Sequence, residues 1–156
     1  RDRDVTGVQT CALPISIRQA VMNSAGVESK FWASKGQDLK LLMDISANNS
    51  NFPGMIKNQV DQFMSEFDDE YTVCNSINMS VNVINVYDIE IISADTVRCG
   101  MDAIYNMQVS YSLKDYDWFL DDYTYTNKTA RDNGTFTNFY EMKKESGVWK
   151  ILQVSA

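Results

Sequence analysis

"TVRCGMDAIYNMQVSY", residues 96–111, is the clearest strand in the sequence. Val97, Cys99, Met101, Ala103, Tyr105, Met107, Val109 and Tyr111 fall on one side, and Arg98, Asp102, Asn106, Gln108 and Ser110 on the other. A period of two sustained over this length is the mark of a strand with one face on a core and one toward water. Just before it, "VNVINVYDIEII" (81–92) has the same period, with a phase slip at Val83 and Ile84 that predicts a β-bulge. The short link Ser93, Ala94, Asp95 makes the two runs a hairpin. The period of two begins after Tyr71 and persists to the end, predicting further strands over 123–127, 135–144 and 149–155, the last two joined by the turn Glu145, Ser146, Gly147.

Upstream the period is near 3.6. Ile17, Ala20, Val21, Ser24, Val27, Phe31 and Trp32 recur at steps of three and four, predicting an amphipathic helix that ends near Ala33. Gly36 breaks it, and Asp38 is a candidate cap for a second helix burying Leu39, Leu42 and Met43. "SANNSNFPG" (46–54) reads as a loop whose Pro53 suits the first turn of a third helix. Ile56, Val60, Phe63, Met64 and Phe67 then share one face, and Asp68, Asp69 and Glu70 form its solvated end. Helices first and antiparallel strands afterwards define an α+β fold.

The opening "RDRDVTGVQTCALPIS" (1–16) fits neither period and lacks the basic start and apolar core of a secretory signal. It resembles a translated sequencing adapter, so residues 1–16 are expected to be an artefact and residues 17–156 a single domain. The sixteen residues carry two Arg and two Asp, and the net charge is −7 with or without them. An acidic chain with no Lys/Arg cluster is a poor partner for nucleic acid. Lacking any His, it offers little for zinc, and no cofactor is indicated. No run from Ile17 onward is apolar enough to span a membrane, and no membrane contact by the domain itself is expected. Outside the opening stretch two cysteines remain, Cys74 and Cys99, compatible with one disulfide or with two small buried apolar side chains.

Three helices followed by long antiparallel strands that close on "GTFTNFYEMKKESGVWKILQVS" (134–155) resemble the nuclear-transport-factor-2-like superfamily, in which a curved sheet wraps the helices into a cone. The resemblance rests most on Gly147, Trp149, Lys150 and Ile151, a turn leading into the final strand, with Trp149 expected as a packing residue. "NFPGMIKNQVDQFMSEF" (51–67) followed by residues 76–111 is similar, more narrowly, to the extracellular C-terminal domain of TcaA-type membrane proteins of Gram-positive bacteria. That likeness implies a non-catalytic binding or spacer domain outside the cell, on a protein whose membrane anchor and zinc ribbon are not in this chain. It also implies a cell-wall glycan or envelope protein as partner, with pairing of two copies through the sheet.

Cone folds also include isomerases and dehydratases that set an Asp or His base in an apolar mouth, where burial raises a carboxylate's pKa. Asp102 beside Tyr105 is the tempting base, but alternation assigns it to the polar face; Asp88 and Glu90 fall outward in the same way. The expectation is therefore no catalytic residue and no enzyme. The remaining concentration of features is "KDYDWFLDDYTYTNK" (114–128), where carboxylates interleave with aromatics. Tyr116, Asp117, Trp118, Phe119, Asp121 and Asp122 are the candidate binding residues, with Trp118 as anchor and the carboxylates as hydrogen-bonding groups for glycan hydroxyls. Clustered Asp can hold calcium, but the EF-hand pattern fails, because counting from Asp115 places Leu120 where it needs Gly and Thr126 where it needs Glu. No metal ligand set is assigned. Asn48, Asn78, Asn127 and Asn133 stand in Asn-x-Ser/Thr tripeptides, frequent in an Asn-rich chain.

Overall fold

The computed structural model describes residues 2–156, with side chains from Ala12 onward. Three helices, α1 (Asp2–Ala33), α2 (Leu39–Asp44) and α3 (Phe52–Phe67), precede four strands, β1 (Thr72–Ser93), β2 (Thr96–Asp117), β3 (Asp122–Glu145) and β4 (Val148–Ser155). The strands form one antiparallel sheet in the order β1-β2-β3-β4, with the helices packed against it. This is the expected α+β architecture. The expected side of β2 is the inner one: Val97, Cys99, Met101, Ala103 and Val109 are buried beneath Ile17, Val21, Phe31, Ile56 and Val60 of the helices. The bulge expected near Val83 is present as a register shift between Val83 and Asn85.

Helix α1 begins fifteen residues before the expected Ile17. Once Ile17–Ala33 is helical, each added residue meets only the cost of propagation, and Pro14 removes a single backbone bond. The expectation that residues 1–16 are foreign falls mostly on side chains outside the described residues. Of the described ones, Leu13 rests against the core while Ala12, Ile15 and Ser16 are exposed.

Helix α2 buries Leu42 but leaves Leu39 and Met43 exposed, so one of the three expected side chains points inward. Asp38 makes no side-chain cap; instead its N–H donates to the Ser34 hydroxyl at 3.1 Å. Pro53 sits in the first turn of α3 as expected. Asn51, just before it, spends its side chain on the sheet: its amide donates to the Val154 carbonyl at 2.9 Å and accepts from the Val154 N–H at 2.8 Å. Those bonds, with Ala47 N–H to Ile151 O at 2.8 Å and Ile151 N–H to Ile45 O at 3.0 Å, cover the outer edge of β4. At the other edge, Ser29 of α1 accepts the Val81 N–H at 3.0 Å.

Two strands expected over 123–127 and 135–144 are one continuous strand, β3, paired with β2 from Asp117↔Asp122 to Thr96↔Lys143. Gly134 lies within this strand and serves a packing need. A Cβ on Gly134 would lie 3.0 Å from the Tyr105 ring, so glycine is what lets that ring lie across β3. Cys74 and Cys99 are both free and buried, the second of the two expected alternatives. Cys74 pairs with Tyr111 and Cys99 with Tyr140, well apart on the sheet. Burial pushes both thiols up, Cys99 to about 11. Trp149 is half-buried against the core.

Candidate functional site

Two places combine exposure or cavity with chemistry. The first is the tip of the β2–β3 hairpin. Strand β1 ends its pairing at Thr72↔Leu113, so the four pairs from Lys114↔Tyr125 to Asp117↔Asp122 form a ribbon with no third strand beside it. Such a ribbon reaches about 13 Å at the usual rise. Its turn, residues 118–121, holds Trp118 at 84% exposure, Phe119 fully exposed and Leu120 at 69%.

The carboxylates of this tip act within it. Asp117 accepts the N–H groups of Phe119 at 2.9 Å and Leu120 at 3.2 Å, an Asx-type brace that shapes the turn. Asp121, with φ of +52°, accepts the Tyr116 hydroxyl. Asp122 accepts the N–H of Tyr123 at 2.7 Å. The Tyr116 ring is held edge-on between Trp118, at 4.8 Å, and Tyr123, at 5.5 Å. Lys114 sits 4.2 Å over the Tyr123 ring. Of the six candidate residues, then, four build the turn and two, Trp118 and Phe119, present free apolar faces, joined by Leu120. Among the described residues no group of three or more carboxylates or thiols is arranged to hold a metal ion.

The second place is a cavity of about 520 Å3 between helices and sheet. Trp32 of α1, Phe63 of α3, Met79 and Val81 of β1, Tyr105 and Met107 of β2 and Phe136 of β3 give it an apolar wall. Glu28 lies at its deep end, only 6% exposed. Desolvation alone raises its carboxyl to about 7. Tyr140, close by, is raised by its own burial first and by the Glu28 charge second.

None of the three carboxylates weighed from the sequence occupies this position; Glu90 is exposed on β1. Asp102 stands on the outer face, accepting Thr137 Oγ1 at 2.7 Å and the Tyr87 hydroxyl at 3.3 Å. The Tyr87 ring crosses Gly100, where a Cβ would come within 2.5 Å of it. Asp88 is exposed in a left-handed conformation at a second register shift. Tyr105 does line the cavity, and its hydroxyl donates to Asp132 at 3.0 Å, a bond that with burial raises the phenol. Glu28 was legible in principle: Val21, Ser24, Glu28 and Phe31 follow the helical step, which puts a carboxylate on the buried stripe.

Helices capped by a curved four-strand antiparallel sheet, with a cavity between the layers, define the nuclear-transport-factor-2-like cone fold. A protein of Catenulispora acidiphila has a similar structure, at a TM-score of 0.51 and 7% identity over 94% of this chain and 91% of that one. The intermembrane space region of the chloroplast protein ARC6 aligns at 0.48 and 12% identity, over 89% and 92%. Hexachlorocyclohexane dehydrochlorinase LinA-type3 from Novosphingobium barchaimii aligns at 0.48 and 12%, over 90% and 85%. No protein-family model matches the sequence, and no curated protein is detectably similar to it. Likeness at this level concerns fold, and function has to be argued from the sites.

Proposed function

We propose that this chain is a non-catalytic binding domain whose contact surface is the hairpin tip. The observation that carries the reading is the trio Trp118, Phe119 and Leu120, exposed together at the end of an unsupported ribbon. A contiguous apolar tip costs solubility unless something covers it, and Trp is the side chain that most often concentrates binding energy. The resemblance of residues 51–111 to TcaA-type domains supports a place outside a Gram-positive cell, on a membrane-anchored protein, with cell-wall glycan or an envelope protein as partner. Exposed Ile84, Ile104 and Phe139 on the outer sheet face support pairing of two copies there. Residues 1–16 are, on this reading, foreign to the domain, and a chain starting at Ile17 keeps its binding.

The test is Trp118→Ala. Melting should not change, and binding to purified peptidoglycan or to the envelope partner should weaken by about 2 kcal/mol, close to thirtyfold. Unchanged binding by both Trp118→Ala and Phe119→Ala would refute the reading.

A second reading, a small-molecule isomerase or dehydratase, is favoured by Glu28 alone, a buried carboxyl beside an apolar cavity. It needs a second proton-transfer group, and Tyr105, which lines the cavity, is engaged with Asp132. Turnover of a cyclic ketone or alcohol, lost in Glu28→Gln, would establish it.

A further inference from the structure

We propose that the cone cavity binds a small organic cation, an aromatic or aliphatic amine whose ammonium group pairs with Glu28. Glu28 is nine-tenths buried, and among the described residues no side chain or backbone group hydrogen-bonds to its carboxylate. Every fully enclosed side-chain N or O among those residues has a partner, so the unpaired oxygens of Glu28 open onto the cavity. A carboxylate kept from water without a partner is costly, and a ligand that supplies a donor recovers that cost.

The sign of the ligand follows from the lining. Glu66 and Asp132 stand at the rim above Glu28, and no described lining residue carries a positive side chain. An anion would meet carboxylates at the mouth and again at the floor. The walls suit a cation equally well: Trp32, Phe63 and Phe136 present ring faces or edges to the space, and cations are attracted to aromatic faces. A volume of about 520 Å3 admits a two-ring body.

The titratable groups around the cavity besides Glu28 are Tyr140 and Asp132 on β3, Tyr105 on β2, Glu66 on α3 and the α-carboxylate of Ala156; β1 contributes only Met79 and Val81 to the wall. Both tyrosines are raised, Tyr105 by its bond to Asp132 and Tyr140 by burial, and Glu28, raised to about 7, changes its charge between pH 5 and pH 8.

The experiment is calorimetric titration of the full chain with three probes of one shape: 1-naphthylmethylamine, 1-naphthalenemethanol and 1-naphthoate. At pH 8 the amine is expected to bind at least about tenfold more tightly than the alcohol, with the naphthoate weakest. In Glu28→Gln the amine should fall to the affinity of the alcohol. In the unaltered chain at pH 5 the same preference should shrink as Glu28 takes up its proton, a check that needs no variant. Equal binding of amine and alcohol at pH 8, absence of amine binding, or a preference that survives both Glu28→Gln and pH 5 would overturn the proposal. The hairpin reading is untouched by any of these results, since Trp118 and Phe119 lie outside the cavity.

Discussion

At pH 8, Glu28→Gln is expected to melt roughly 10 °C above the unaltered chain, and at pH 4.5 the two should melt together. The sign follows from proton binding. Burial raises the Glu28 carboxyl from 4.5 to about 7, so the folded chain holds that proton more tightly than the unfolded chain does. Its stabilising contribution is complete below about 4.5 and is lost as pH rises through 7. The loss amounts to about 3 kcal/mol, since each tenfold difference in proton affinity is worth about 1.4 kcal/mol. Glutamine keeps the shape and has no proton to lose, so the difference between the two proteins isolates this one group. Melting both proteins at half-unit pH steps checks it; a difference that does not vary with pH would mean that Glu28 is solvated in the folded state.

The second large effect belongs to Phe52. Its side chain is completely buried at the start of α3, with its ring 6.4 Å from that of Tyr140 in a T-shaped pair. Phe52→Ala leaves a cavity where helix meets sheet, and a loss of about 3–5 kcal/mol is expected by urea denaturation. Phe119→Ala removes the same atoms from a fully exposed position and should change stability by less than about 0.5 kcal/mol. The pair separates the aromatics that hold the fold from those left free to bind. Equal losses at the two positions would place the hairpin tip in a core.

The strands announced themselves wherever one face is dry. From Val97 to Val109 of β2 the side predicted for the core is the side that carries it, with Gly100, beneath the Tyr87 ring, the one outer position also buried. Residues 128–134, between two predicted strands, gave no such signal, because the outer half of β3 is exposed on nearly every residue and alternation needs a buried face to reveal it. Gly134, inside the strand, is there for a reason that no local pattern shows. Glycine there relieves a ring stacked from the neighbouring strand, a long-range demand that local turn chemistry cannot express.

At the candidate sites the aromatics were readable and the roles of the carboxylates were not. Asp117 and Asp121 are consumed by the turn they belong to. Glu28 escaped notice because a glutamate inside a helix is usually solvated; only its phase with Val21 and Phe31 distinguishes it.

The plain meander β1-β2-β3-β4 has a kinetic consequence. Each strand meets the next across a turn of two to four residues, so zipping the sheet closes only small loops and costs little chain entropy at each step. Fastening the last strand to the helices is different in kind: Asn51 and Val154 are 103 residues apart in sequence, and their two hydrogen bonds close a loop of that length. Where that closure is formed in the transition state, a substitution at Asn51 slows folding as well as removing two part-buried hydrogen bonds.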